Sequence, residues 1–163
     1  MPCWSFRTGI GIDSHAFDDG RKPLILGGLK IPYHRGLQGN SDGDVVLHAI
    51  TDAISGITGR NIIGPISDDL CNQGITDSRI YLQHALADLN IMGFEIENIS
   101  ITIEAAKPKL EGYIGEIRRN IAEMINKEIN RIGITVTSGE GLSDFGRGLG
   151  IKSIALVTVR YRM

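Results

Sequence analysis

The sequence predicts an α/β fold (an α+β sandwich), with a mixed sheet carrying helices on one face, in a single domain over residues 1–163. Three observations predict it. Apolar runs of strand character alternate along the chain with segments of helical period, and the last segment is a strand. At 163 residues, 42% hydrophobic and 22% charged, the chain can bury one proper core and is too short for two. No charge block, low-complexity stretch or repeat marks a linker.

In chain order, "GIGIDSHAF" (9–17) reads as a buried strand interrupted by Asp13 and His15. Side chains two apart in a strand share a face, so these two groups converge on one point. "PLILGGLKIPY" (23–33) holds two short strands around Gly27-Gly28, a hairpin or bulge. "NSDGDVVLHAITDAISGI" opens on Asn40, Ser41, Asp42 and Asp44, good helix-starting residues, and Val46, Ile50, Ala53 and Ile57 follow at helical spacing, predicting a helix over 44–57. Residues 59–75, rich in Gly, Asn, Asp and Pro, read as a loop long enough to be functional. A second helix has the stripe Leu82, Ala85, Leu86 and Leu89 and stops at Gly93. "IENISITIEA" alternates Ile99, Ile101 and Ile103 as a strand with one buried face. A third helix over 110–130 buries Ile114, Ile117, Ile121, Met124 and Ile125. A short strand (133–138), the glycine-rich "SGEGLSDFGRGLG" and the strand "IKSIALVTVRY" complete the chain.

Composition narrows the function. A net charge of −2 with scattered signs speaks against nonspecific nucleic-acid binding or a basic membrane surface, leaving small molecules or other copies of the chain as partners. Cys3 and Cys71 lack C-x-x-C spacing, so neither a disulfide framework nor a thiolate zinc site is expected, and a reducing cytoplasm fits. "MPCWSFR" is too short and polar for a signal sequence, and no apolar run approaches spanning length; a soluble cytoplasmic protein is expected.

His48 lies two residues from Val46, about 200° around the helix, and so points away from the apolar stripe. Asp44 and Asp52, each four residues from His48, share its face, either as plain polar residues or as partners that orient the imidazole. A lone histidine is more often structural than functional. Asp13, His15 and His48 together offer a carboxylate and two imidazoles, a set suited to zinc that leaves one coordination position open. Spacing alone does not say whether strand and helix meet. "GIGID" and "GRGLG" do not form the strand–turn–helix glycine unit of a dinucleotide site.

"GIDSHAF" (11–17), "LGGLKIPYHRGL" (26–37), "SDGDVVLHAITDAI" (41–54), "DSR" (77–79), "AKPKL" (106–110) and "GRGLGI" (146–151) occur in an order that resembles the 2-C-methyl-D-erythritol 2,4-cyclodiphosphate synthase family along nearly the whole chain. The resemblance implies an α/β homotrimer with active sites between subunits. It also implies conversion of 4-diphosphocytidyl-2-C-methyl-D-erythritol 2-phosphate into the cyclic diphosphate and CMP, a metal-dependent step in nonmevalonate isoprenoid synthesis. Asp13, His15 and His48 match the family's zinc ligands, and Glu140 matches the carboxylate for a second cation, Mg²⁺ or Mn²⁺.

For substrate binding, Ser41, Asp42 and Gly43 match a stretch lining the site, where a helix start also offers free N–H donors to phosphate. Ala105, Lys109 and Leu110 match the cytidine pocket, with Pro108 restricting its loop. Thr137 and Ser138 match a threonine pair at the nucleotide and diphosphate; Ser138 keeps the hydroxyl. Phe145 and Arg147 fall where the family faces an axial cavity that accepts an isoprenoid diphosphate. Four positions depart from the pattern: Asn40 replaces a histidine, Asn61 or Ile62 the aspartate that holds the ribose, and Gly141 a lysine, while "LSDFGRG" changes the aromatic arrangement. A zinc phosphohydrolase, or a noncatalytic trimer binding isoprenoid phosphates, would share some of these features. Cyclisation activity separates the three.

Overall fold

Two glycines decide how close the first helix comes to the first strand. In the computed structural model, which describes residues 3–163, strand β1 spans Trp4–Ala16 and helix α1 spans Val45–Thr58. Gly9 and Gly11 face α1, and a Cβ on either would collide with helix backbone, the carbonyl oxygen of Ala53 for Gly9 and that of Ala49 for Gly11. Small residues on both sides allow the contact. Asp13, two residues beyond Gly11, and His48, one before Ala49, are thereby brought side by side.

The remaining elements are β2 (Leu24–Leu26), β3 (Leu29–Ile31), α2 (Pro65–Asn72), α3 (Ser78–Ile91), β4 (Glu95–Glu104), α4 (Ile114–Met124), β5 (Ile132–Thr137) and β6 (Gly150–Arg162). The main sheet has the order β1-β6-β4-β5, antiparallel except for β4–β5, whose parallel pairing is bridged by α4. It is the expected mixed sheet. Its inner face buries Ile99, Ile101 and Ile103 of β4 and Ile151, Ala155, Val157 and Val159 of β6 under α1 and α4. The outer face carries no helix among the described residues and leaves Phe6, Ile10, Ile12 and Leu156 largely exposed.

The hairpin β2–β3 turns at Gly27-Gly28, both at positive φ (59° and 73°), as a two-residue turn with matching strand twist requires. Its amides are fixed by a residue far along the chain. The fully buried Asp44 carboxylate accepts the N–H groups of Gly27 (2.9 Å) and Gly28 (2.7 Å) while capping α1 through Val46 (3.1 Å) and Leu47 (3.0 Å).

Three expectations change. The 59–75 segment contains α2, which begins on Pro65 at its first position, where the missing N–H costs nothing, and is secured by the Gly64 N–H donating to Ser67 Oγ (2.9 Å). The third helix is shorter than 110–130: a 3₁₀ turn at Glu111–Tyr113 precedes α4, and Asn126 at φ 52° ends the helical path. Ile117, Ile121 and Ile125 are buried as expected, whereas Ile114 and Met124 are half-buried. Finally, the face of α1 opposite its predicted stripe does not meet solvent, because α3 lies over it and seals it with Tyr81, Leu82 and Ala85.

Candidate metal centre

His48 is therefore inside the protein, 5% exposed, and not on an outward face. Its Nδ1 is 2.9 Å from Asp13 Oδ2, and the same oxygen is 3.2 Å from His15 Nε2. Its Nε2 is 2.8 Å from Ser78 Oγ and 3.4 Å from Ser41 Oγ. One oxygen and two nitrogens, from Asp13, His15 and His48, lie within 4.8 Å of one another. Bonds of about 2.0–2.2 Å to a tetrahedral ion place ligand atoms about 3.3–3.6 Å apart, so the two separations from Asp13 Oδ2, 2.9 and 3.2 Å, need only a small expansion to hold one. The donor chemistry fits a borderline divalent ion, and all three residues line a cleft of roughly 320 Å³.

The electrostatics are those of a preassembled ligand set. Burial alone would raise the Asp13 carboxyl, but hydrogen bonds from His15 and His48, reinforced by their charge, hold it well below the usual carboxylate range. Burial would lower His48; the hydrogen bond and charge of Asp13 outweigh it and raise the imidazole. Asp52 is pushed up to about 6 by burial and by the Asp13 charge, with His48 acting in the opposite sense.

These shifts predict how the metal-free fold responds to pH. The raised His48 contributes stability that is complete below its ordinary 6.5 and is lost as pH rises through its folded value. Asp52, raised from 3.8 to about 6, favours the protonated fold, so stability falls across that window as pH rises. The lowered Asp13 contributes stability present above 3.8 and lost only in strong acid. In the presence of a chelator the melting temperature should fall as the pH rises above 6.5, whereas with zinc, which needs the deprotonated imidazole, the trend should flatten or reverse. A chelated protein that gains stability over that range would contradict the Asp13–His48 pairing.

Asp44 does not orient His48, because its carboxylate is engaged by Gly27, Gly28, Val46 and Leu47. Burial pushes its carboxyl up to about 6 against those hydrogen bonds. Asp52 makes no hydrogen bond to His48 among the described residues and acts on it through charge. Five of the N–H donors around the start of α1 are also taken. Asp42 N–H donates to Thr76 O (2.8 Å), Gly43 N–H to Ser41 Oγ (3.2 Å), Asp44 N–H to Asp42 Oδ1 (3.2 Å), and the amides of Val46 and Leu47 to Asp44. Capping from within the chain removes them.

The metal-side cleft is lined by the triad, Asn40, Ser41 and Gly39, and by residues that sequence reasoning missed: Ser67, Asp68 and Cys71 of α2 and Tyr81 of α3. Gly43 is buried at φ 76° under Leu37, and the Asp42 carboxylate turns to the start of α3. Of the two candidates for the ribose contact, Ile62 lies in the core and Asn61 is exposed. A second, smaller cleft gathers Ala105, Lys109, Leu110, Thr137 and Ser138, the five residues predicted for the nucleotide, and shares no lining residue with the first. Glu140 follows it, exposed, at φ 47° between two glycines also at positive φ. Phe145 packs under Lys152 Nζ, 5.4 Å from the ring centroid, and exposed Arg147 pairs with Asp144 at 2.8 Å.

Comparison with known proteins identifies the family. The YgbB family model matches residues 6–160. The 2-C-methyl-D-erythritol 2,4-cyclodiphosphate synthase of Chlamydia felis is 45% identical over 161 residues, 97% of this chain and 91% of its own length, and that of Chlamydia trachomatis serovar A is 44% identical over 97% and 90%. Among solved structures, a bifunctional IspDF from Campylobacter jejuni superposes with a TM-score of 0.90 at 34% identity over 98% of this chain, which spans 43% of that longer protein. A 2C-methyl-D-erythritol-2,4-cyclodiphosphate synthase with CDP bound superposes with a TM-score of 0.84 at 30% identity, covering 94% of this chain and 99% of its own. With the family model spanning residues 6–160 and the curated relatives covered over about nine tenths of their length, the chain belongs to the YgbB family, that of the 2-C-methyl-D-erythritol 2,4-cyclodiphosphate synthases.

Proposed function

We propose that the chain converts 4-diphosphocytidyl-2-C-methyl-D-erythritol 2-phosphate into 2-C-methyl-D-erythritol 2,4-cyclodiphosphate and CMP in nonmevalonate isoprenoid synthesis, in the cytoplasm. The observation that carries this reading is the convergence of Asp13, His15 and His48 beside an open cleft in a chain of this family. An oxygen of the substrate's 2-phosphate attacks the β-phosphorus of its own diphosphate; the new P–O bond closes the ring, and the bond to the bridging oxygen breaks as CMP leaves. Such a reaction asks the protein for positioning and charge neutralisation more than covalent help. Asp13, His15 and His48 would hold zinc, which would supply a Lewis acid to the diphosphate, and Glu140 would hold a second cation, Mg²⁺ or Mn²⁺. Thr137 and Ser138 offer hydroxyls to the nucleotide, backbone groups at Ala105, Lys109 and Leu110 read the cytosine edge, and Asn40, Ser41 and Asn61 border the phosphates and ribose.

The nucleotide cleft and the metal cleft are distinct in one chain, which supports active sites completed between copies. The outer sheet face supports a homotrimer: Ile10 pairs with Leu156 and Ile12 with Ile154 across β1–β6, and Phe6, Ile10, Ile12 and Leu156 are exposed. Phe145 and Arg147 would then border an axial cavity for an isoprenoid diphosphate. Ile10→Glu, which places a charge on that face, should convert the trimer to monomer in sedimentation equilibrium with loss of activity; a wild-type chain that sediments as a monomer would contradict the assembly.

The function itself is tested by phosphorus NMR of substrate incubated with protein, zinc and Mg²⁺. Cyclic diphosphate appearing with CMP is the expected result. An open, hydrolysed product would make the chain a phosphohydrolase, and no turnover by zinc-loaded trimer would make it a binding protein.

A further inference from the structure

We propose that Ser78, backed by Asp42, is the positioning residue that fixes the tautomer and orientation of His48 for metal binding; the inference rests on the metal reading above. His48 directs Nδ1 toward Asp13 and the ligand cluster and Nε2 toward Ser78 Oγ at 2.8 Å. A ring nitrogen that gives its lone pair to a metal carries no proton, so the proton of the neutral imidazole must reside on Nε2 and needs an acceptor there. A serine hydroxyl can accept or donate, and that choice decides the tautomer. If Ser78 donated to Nε2, the proton would sit on Nδ1, where the metal belongs.

Asp42 removes the ambiguity. Its Oδ1 is hydrogen-bonded to Ser78 Oγ, and a carboxylate only accepts, so the hydroxyl proton points to Asp42 and a lone pair is left for His48 Nε2–H. The carboxylate is itself held by the Ser78 N–H on Oδ2 (3.1 Å) and by the Asp44 N–H on Oδ1 (3.2 Å). The Asp42 N–H donates in turn to Thr76 O (2.8 Å). The chain runs from His48 Nε2–H to the Ser78 hydroxyl to Asp42, tying the start of α3 to the loop before α1. No local structural task claims the Ser78 hydroxyl, because α3 is capped by Asp77, which accepts the Arg79 N–H at 2.9 Å. Ser78 is fully buried, and its hydroxyl is nearer to His48 Nε2, at 2.8 Å, than that of Ser41, at 3.4 Å.

The test is zinc affinity, measured by competition with a chromophoric chelator on folded protein. Ser78→Ala should bind zinc about 10–100-fold more weakly, and Asp42→Asn should weaken it in the same sense. Ser78→Thr, which restores the hydroxyl, should recover most of the loss. In zinc-loaded wild type the Nε2–H proton of His48 should appear as a hydrogen-bonded, slowly exchanging resonance that shifts in Ser78→Ala. Unchanged zinc affinity in Ser78→Ala, with only a lower urea midpoint, would reduce Ser78 to a structural role and overturn the proposal while leaving the metal site intact. If Ser78→Ala does not fold, Asp42→Asn decides the matter, and wild-type zinc affinity in that variant would overturn the proposal equally. Wild-type protein that takes up no zinc would overturn the metal reading first, and this proposal with it.

Discussion

His48→Ala should abolish zinc uptake and lower the rate of cyclic diphosphate formation by about 10³-fold or more, since a Lewis acid at the diphosphate contributes several kcal/mol to the transition state. The loss should exceed that of any nucleotide-cleft variant. Asp13 and His15 reach the cluster from one strand, and without the imidazole between β1 and α3 only two ligands remain. Removing a buried ring also takes one hydrogen-bond partner each from Asp13, which keeps His15, and from Ser78, which keeps Asp42, costing about 1–3 kcal/mol of stability. His48→Gln is therefore the companion variant, because it fills more of the space and keeps an N–H donor toward Ser78. It should fold and be nearly as inactive, as judged by phosphorus NMR and metal content. Full activity in either variant would remove His48 from the chemistry.

Gly11→Ala should be the most damaging small substitution in the fold. Its methyl group would meet the Ala49 carbonyl oxygen and, close behind it, the Ala53 nitrogen, both helix backbone that no rotamer change can move. Relief requires α1 to back away from β1, at a cost of about 3 kcal/mol or more. The same displacement separates Asp13 from His48, so zinc affinity should fall in whatever fraction still folds. Gly115→Ala in α4, where an added Cβ meets nothing within 4 Å, is the control and should be neutral or stabilising by about 0.5–1 kcal/mol. Urea denaturation of the two variants separates the cases. Equal stability would mean that the close contact between β1 and α1 does not govern the site.

Much of this is legible in the residues because it depends on local period. The alternation of Ile99, Ile101 and Ile103, the polar start of α1 and the two-residue offset of Asp13 and His15 are carried by the sequence itself and recur in the structure. What is not legible depends on a second layer. The stripe Val46, Ile50, Ala53 and Ile57 does put His48 on the opposite side of the helix, but no period within α1 announces that α3 covers that side. Asp44 caps α1 as its sequence position suggests, but its second task is hidden for the same reason: two of its four amide partners come from a hairpin sixteen and seventeen residues earlier. Helix α2 is hidden by a loop-like composition, although Pro65 followed by Ser67 is a start signal. Gly9 and Gly11 resemble fragments of a phosphate loop and instead admit a helix. Ser78 is visible only within "DSR", and its use becomes apparent from its proximity to His48 and Asp42.

The most direct measurement is zinc-edge anomalous diffraction from crystals of the zinc-loaded protein. One peak at about 2.0–2.2 Å from Asp13 oxygen, His15 Nε2 and His48 Nδ1, with a fourth position open to the cleft, is the predicted result. No peak between β1 and α1, or an ion bound through His48 Nε2, would contradict the assignment of these three residues as a catalytic metal centre.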